Sequence, residues 1–409
     1  MSSRIARTRL LRSAGDPLRY VPAAGAIFWS RGARTLAAYG EVARIVPGVG
    51  DDRVGRASRQ LSAVLGSLQV ENEVGGWGTG PLAFGAFSFD PDSSESSVVV
   101  PRVVVGRDDE RTWVTTIGEA PTRAATQPWA GPGHARRDGS SISDEAWLAA
   151  ATSARDLVRD GVVEKVVLAR DAHLEGDQPF DARSIAERLV ESNPECYTFA
   201  FEGLVGASPE LLVRREHGAV ESVVLGGSKP RGDTDERDEL LSARLLASPK
   251  ERHEHALAVQ TVSATLGEVC TDVEIEDAPS LLSLSYVHHL RTSVRAGRCG
   301  GLSALELAGT LHPTAAVCGV PTDKALAAIR ELEGMDRARY CGPVGWVDAV
   351  GNGEWAIALR CAELRGSTAR LFAGAGIVAQ SDPVAELDET ELKLSPLLDA
   401  LGTRRRGGP

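Results

Sequence analysis

The stretch Cys196-Tyr-Thr-Phe-Ala-Phe-Glu-Gly-Leu-Val-Gly206, then Ala-Ser-Pro-Glu210, then Leu211-Leu-Val-Arg-Arg215 decides the fold. After His217-Gly218 it continues as Ala219-Val-Glu-Ser-Val-Val-Leu225. Cys196–Gly206, Leu211–Arg215 and Ala219–Leu225 are rich in β-branched and aromatic residues and read as strands, with His217-Gly218 as a turn. A turn this short joins antiparallel neighbours. Upstream, Glu164–Leu174 is strand-like, and further strands fall around Gly345–Ala349, Glu354–Glu363 and Ala369–Phe372. Helical periodicity appears between them. Asp144–Asp160 places Trp147, Ala151, Ala154 and Val158 on one face and stops at Gly161. Asp181–Glu191, Asp323–Glu333 and a last segment from about Pro383 read the same way. Ser248-Pro249 starts another helix, with serine as cap, proline in the first turn and Glu251 placed to close a capping box. Helices mixed with hairpin-like strands favour α+β with antiparallel sheet over a doubly wound parallel sheet.

Outward from this region the chain is less regular. Residues 1 to about 140 mix short strand-like runs with Gly/Pro turns, and Leu82–Asp90 reads as a buried strand. Gln127–Ser143, rich in Pro, Gly, Ser and Arg, reads as a linker. The Arg- and Ser-rich start has no acid before Asp16 and is read as the basic beginning of an arginine-rich chain, not a transit peptide. Residues 403–409 read as a flexible tail. The 409 residues suffice for two or three ordinary domains or one large one. A net charge of -11 argues against nucleic-acid binding and fits a small-molecule partner. No apolar run is long enough to span a membrane. The six cysteines are scattered, without C-x-x-C, so free thiols in a reducing cytoplasm are expected.

Several charged residues stand where packing alone would not ask for them. Lys165 opens a strand on the same face as Val167 and Ala169, and a lysine desolvated in apolar surroundings is a usable base. Its plain alternative is an edge lysine reaching solvent. Glu210 follows Pro209 at a break in strand pairing, where a part-buried carboxyl can keep its proton and act as an acid; otherwise it is a turn glutamate. His253 and His255 are two apart on a helix, so they cannot chelate one ion together; Glu254 is the better ligand and magnesium the better ion. Glu386, Glu389 and Lys393 share one helix face, which is also how a surface salt bridge looks. Phe372-Ala-Gly-Ala-Gly-Ile-Val378 lacks the third glycine of a dinucleotide fingerprint; its use would be exposed amides that hold a carboxylate.

Taken in order, nine motifs resemble the chorismate-utilising enzymes: VEKVVLAR, GASPELL, GGSKPRG, SPKERHEH, LHPTAAVCGVP, GPVGWVD, GNGEWAIALRC, FAGAGIV and ELDETELKL. ERHEHALAV and LHPTAAVCGVP resemble the isochorismate synthases within that family. The resemblance implies a large single-domain fold of antiparallel sheets flanked by helices, as in anthranilate synthase component I. Residues 1–140 would be its variable part and 141–402 the chorismate-binding catalytic region. It implies an isomerase that adds water at C2 of chorismate and expels the C4 hydroxyl. Lys165 would be the base, Glu210 the acid, and Glu254, Glu386 and Glu389 the Mg²⁺ ligands. Gly227, Ser228, His289, Arg360, Gly374, Gly376 and Lys393 would bind substrate. A glutamine amidotransferase partner is not expected, since no lysine stands at Gly226, and a cytoplasmic monomer is. Alternatives are a salicylate synthase, which goes on to eliminate pyruvate, and a non-catalytic chorismate-binding protein. The product could feed menaquinone, siderophore or salicylate synthesis. Lys229 departs from the small residue often found there.

Overall fold

A computed structural model describes residues 5–11, 15–23, 25–119, 129, 131 and 133–403. The first few residues, most of the loop before residue 134 and the tail beyond Thr403 lie outside the described residues, and so does most of what was read as basic start and tail. Two stacked sheets organise the molecule. Across the first, the strands run Ala135–Gly139, Lys165–Gly176, Thr368–Ile377, Cys361–Arg365, Leu204–Ser208, Tyr197–Phe201, Ile27–Arg31, Arg34–Tyr39, Val103–Arg107, Thr112–Ile117, Ile5–Leu10 and Gln69–Asn72. Across the second they run Glu274–Ile275, Val287–Ala296, Ala219–Pro230, Leu211–Glu216, Gly353–Ile357, Pro343–Asp348, Leu82–Ala86, Ser97–Val100 and Ala43–Ile45. Pairing between these strands is antiparallel except where Ile5–Leu10 meets Gln69–Asn72. Both sheets therefore take strands from the two ends of the chain, and the α+β expectation describes the architecture.

Among the described residues, eight α-helices flank the sheets: α1 (Arg53–Gly66), α2 (Asp144–Arg159), α3 (Ala182–Ser192), α4 (Asp235–Ala247), α5 (Pro249–Val269), α6 (Ala304–Leu311), α7 (Thr322–Leu332) and α8 (Pro383–Ala400). α3 and α8 pack on the outer face of the first sheet, while α4 and α5 lie on the Ala219–Pro230 and Val287–Ala296 strands. Strand alternation explains why the first sheet is covered on both sides. Ile27, Trp29, Phe199, Phe201 and Leu204 point into the core between the sheets; Phe28, Ala200 and Val205, one residue out of step, join the core under α3 and α8.

Four sequence readings change. Cys196–Gly206 is two strands, because Glu202 and Gly203 both take positive φ (49° and 86°) and turn the chain tightly. Unbroken apolar alternation hid that hairpin. Glu354–Glu363 is also two strands, one in each sheet, since the chain crosses between sheets at Ala358–Arg360. Part of the supposed linker, Ala135–Gly139, forms the edge strand of the first sheet against Lys165–Gly176. Cys270 and Cys299 form a disulfide, leaving Cys196, Cys318, Cys341 and Cys361 as free, buried thiols. Cys270 caps the end of α5 and Cys299 follows the Val287–Ala296 strand, so the pairing comes from tertiary proximity that cysteine spacing does not reveal.

Candidate active site

The chain crosses between the sheets at two places that lie side by side. Leu204–Ser208 leaves the first sheet and Leu211–Glu216 enters the second, through Pro209-Glu210. Gly353–Ile357 and Cys361–Arg365 make the reverse crossing through Arg360. The crossings are stitched together: Ala207 N–H donates to Arg360 O at 3.2 Å, and Ile357 N–H donates to Glu210 O at 3.2 Å. Proline at 209 and a left-handed Arg360 (φ 48°) are what interrupt the ladders there. The side chains of Glu210 and Arg360 are thereby taken off the sheet faces and into a cavity.

That cavity spans about 690 Å³ of empty space, counting the part open to solvent, and is walled by the crossings, the first turns of α5 and α8, and the end of the Thr368–Ile377 strand. All twelve residues expected at the site line it: Lys165, Glu210, Gly227, Ser228, Glu254, His289, Arg360, Gly374, Gly376, Glu386, Glu389 and Lys393. Lys250, Glu251, Ala316, Tyr340 and Leu359 also line it and were not assigned from sequence. Lys250 and Glu251 had a signal, since they lie four and three residues before Glu254 on one helix face. Tyr340, stacked on Phe372 at 5.2 Å, comes from a loop whose position nothing local predicts. Glu251 is where the capping reading fails. Ser248 Oγ does accept from Glu251 N–H at 3.4 Å, but the Glu251 carboxylate turns into the cavity, toward Lys229 Nζ at 3.4 Å.

Lys165 is 1% exposed, as a desolvated base requires, yet its surroundings are not apolar. Its ammonium lies 2.9 Å from Glu254 Oε1. Burial pushes Glu254 upward, but Lys165, Lys250 and Lys393 together hold it below the usual carboxylate range. Glu210 is 4% exposed, and burial, only partly offset by a hydrogen bond from the Leu225 backbone and by Lys165, raises it to about 7. The two carboxyls are thus driven in opposite directions by their settings.

Arg360 is buried and, among the described residues, makes no ion pair with a carboxylate. Its Nη2 donates to His289 Nε2 at 3.1 Å. His289 Nδ1 is 3.0 Å from the Gly227 carbonyl and 3.2 Å from Ser228 Oγ. A carbonyl only accepts and a guanidinium only donates, so His289 carries its proton on Nδ1 and is neutral. Burial and then Arg360 hold its pKa well below the ordinary value, in agreement. The Gly226-Gly227 bulge makes the close approach possible. Gly227 has φ +60°, and a Cβ at Gly226 would stand 2.9 Å from His255 Nδ1. His255 itself is buried, bonded to Thr292 at 2.7 Å, while His253 faces solvent, so the histidine pair does not form a ligand set.

Gly374 and Gly376 pair with Ala169 and Val167. The amides of Val167 and Ala169 are spent elsewhere, on Cys318 O (2.8 Å) and Glu333 Oε1 (2.8 Å). In an antiparallel ladder these are then the non-bonded pairs, and the two glycines keep their polar backbone groups turned away from Lys165–Gly176. Lys393 Nζ uses one of them, donating to Gly374 O at 2.9 Å, and also meets Glu389 at 2.6 Å.

The acidic wall consists of Glu251 and Glu254 on α5 and Glu386 and Glu389 on α8. Burial and then Glu254 raise Glu251; burial and then Glu389 raise Glu386. Among the described residues no three acids stand close enough to form a ready cation site. Each is turned to a lysine instead: Glu254 to Lys165, Glu386 to Lys250 at 3.0 Å, Glu389 to Lys393, and Glu251 to Lys229. The donor set still suits a hard divalent cation, because it is all carboxylate oxygen and its mutual repulsion is what such an ion relieves.

A buried arginine lacking a carboxylate, a carboxyl held protonated near neutrality and lysine-paired acids define a site for acid–base chemistry on a small carboxylated molecule. The chain belongs to the chorismate-binding enzymes: the family described as "Chorismate binding enzyme" matches residues 18–402. It is 35% identical over 357 residues to isochorismate synthase MenF of Bacillus subtilis, covering 80% of this chain and 76% of the relative. It is 39% identical over 346 residues to a putative isochorismate synthase MenF of Mycobacterium tuberculosis, covering 80% and 88%. Among solved structures, a putative 2,3-dihydroxybenzoate-specific isochorismate synthase, DhbC, from Bacillus anthracis superposes with a TM-score of 0.80 at 32% identity, covering 94% of this chain and 98% of that one. Anthranilate synthase component I from Streptococcus pneumoniae, at 23% identity and a TM-score of 0.72, shares the fold.

Proposed function

We propose that this chain is an isochorismate synthase, an isomerase that converts chorismate to isochorismate. The observation that carries the reading is the meeting of Lys165, Glu210 and an uncompensated Arg360 in one cavity. Chorismate carries two carboxylates, a C4 hydroxyl and a ring with conjugated double bonds. Arg360, oriented by His289, is suited to grip one carboxylate in a two-point fork. Gly374, Gly376 and Lys393 offer backbone and ammonium groups for the other, with Gly227 and Ser228 beside them.

The reaction needs a proton removed from water at C2 and one delivered to the departing C4 oxygen. Glu210, held up at about 7, keeps a proton to give at neutral pH. Lys165 takes the proton from water as the neutral amine, so its ion pair with Glu254 has first to open and the ammonium to give up its proton to solvent. As the C2–O bond forms, the two ring double bonds shift and the C4–O bond breaks; water enters, water leaves, and no redox partner is needed. Glu254 and Glu389, with Glu386, are the residues that would hold Mg²⁺. Bound there, Mg²⁺ supplies a counter-charge for the ring carboxylate and for the acidic wall.

The same reading takes the enzyme as a self-sufficient cytoplasmic monomer using water rather than ammonia, without an amidotransferase subunit. No described helix is long and apolar enough to cross a membrane. Incubating the protein with chorismate and Mg²⁺ and resolving the products tests the activity. Isochorismate alone is expected. Salicylate with pyruvate would replace the reading by a salicylate synthase, and no turnover would leave a chorismate-binding protein.

A further inference from the structure

The chain has five lysines, and four of them, Lys165, Lys229, Lys250 and Lys393, pair with acids of one cavity wall. The fifth, Lys324, lies on α7. Everywhere else the basic residues are arginines. The difference is physical: a guanidinium grips a carboxylate in a planar fork, whereas an ammonium is a compact point charge that another cation can replace. Three of the four pairs do not join the two acidic helices. Lys393 and Glu389 are both on α8, and Lys165 and Lys229 come from strands. Lys250 alone reaches from α5 to α8, setting its Nζ 3.0 Å from Glu386 Oε1. It stands in the first turn of α5, one turn before Glu254. Its ammonium therefore sits between the helices whose carboxylates would share a divalent ion.

We propose that Lys250 is a positioning residue that stands in for the divalent cation, tying Glu386 to α5 in the cation-free protein and leaving Glu386 when the cation binds. This rests on the reading that Glu254, Glu386 and Glu389 hold Mg²⁺. Cation binding is then an exchange of one positive charge for another. The acidic wall keeps its spacing without metal, and affinity is set below what the acids alone would give.

The test is calorimetric titration of Mg²⁺ into the full-length protein and its Lys250→Met, Lys250→Arg and Lys229→Met variants, with thermal melts in the presence and absence of Mg²⁺. Lys250→Met is expected to bind Mg²⁺ about tenfold more tightly than wild type. It should melt lower than wild type without Mg²⁺ and regain more of its Tm when Mg²⁺ is added. Lys250→Arg should restore the cation-free melt and bind Mg²⁺ more weakly than Lys250→Met. Lys229→Met removes the same charge from the same wall without untying the helices, and should change affinity less. Equal gains in Lys229→Met and Lys250→Met would overturn the proposal, reducing it to net charge. So would unchanged or weaker binding by Lys250→Met while wild type binds. Absence of Mg²⁺ binding by wild type would instead overturn the metal reading itself.

Discussion

Glu210, buried, and Glu254, largely buried, are glutamates of one cavity, and their neighbours give them opposite behaviour. Burial dominates at Glu210 and lifts it from 4.5 to about 7. Because the folded-state value is raised, its contribution to stability is full below about 4.5 and is lost as pH rises through about 7. That span corresponds to about 3 kcal/mol of pH-dependent stability. In urea unfolding from pH 4.5 to 8, Glu210→Gln is expected to gain about that much relative to wild type, while losing isochorismate formation. An unchanged difference between the two proteins across that window would contradict the assignment. Lys165→Ala should lower turnover by about 10²–10⁴-fold with chorismate binding still measurable by calorimetry. Full activity would remove Lys165 as base. At this scale the sequence named the residues that meet in the cavity, through motif resemblance and the Ser-Pro break. It did not reveal that Lys165 faces a carboxylate, because Glu254 lies 89 positions further along the chain and meets it only on folding.

The start of α5 was legible as an element. Ser248 caps it and Pro249 opens it, as their local chemistry dictates. Ser248→Ala is expected to cost about 1 kcal/mol in chemical denaturation and to weaken the cavity wall, since Lys250, Glu251 and Glu254 follow within two turns. What a helix cap cannot say is where the glutamate three residues on will point. Glu251 left the capping box for the cavity because Lys229 stands there. The Thr368–Ile377 strand carries a sharper expectation. A Cβ at Gly376 would come within 2.3 Å of Glu254 Oε1 and 3.0 Å of Lys165 Cε. Both are ends of flexible side chains, so Gly376→Ala should fold normally by circular dichroism yet displace the Lys165–Glu254 pair and lose most activity. The two misread strands share one cause. Cys196–Gly206 and Glu354–Glu363 keep strand composition throughout, and only pairing partners decide whether a continuous apolar run turns or changes sheets.

Across the whole molecule the stacked sheets are tied by buried polar contacts as well as by apolar packing. Trp29 in the first sheet donates from Nε1 to Glu354 in the second at 2.8 Å, and Trp77 reaches the same carboxylate at 3.4 Å. Trp29→Phe keeps most of the volume and removes the bond, and is expected to cost about 1–3 kcal/mol in urea unfolding. A loss well under 1 kcal/mol would show that the tie is redundant. The sequence by itself determined the class of fold, the helices with strong caps and periodicity, and the identities of the acids, lysines and arginine that line the site, Lys250 and Glu251 excepted. Those features depend on local propensity and on residue type, which a linear reading retains. The tertiary structure alone decided that the chain changes sheets at Glu210 and at Arg360, that the two crossings meet, and that each acid of the wall faces a lysine. Those are properties of strand partnership and burial between residues far apart in the chain, and the electrostatic setting of a carboxyl does not exist until its neighbours arrive.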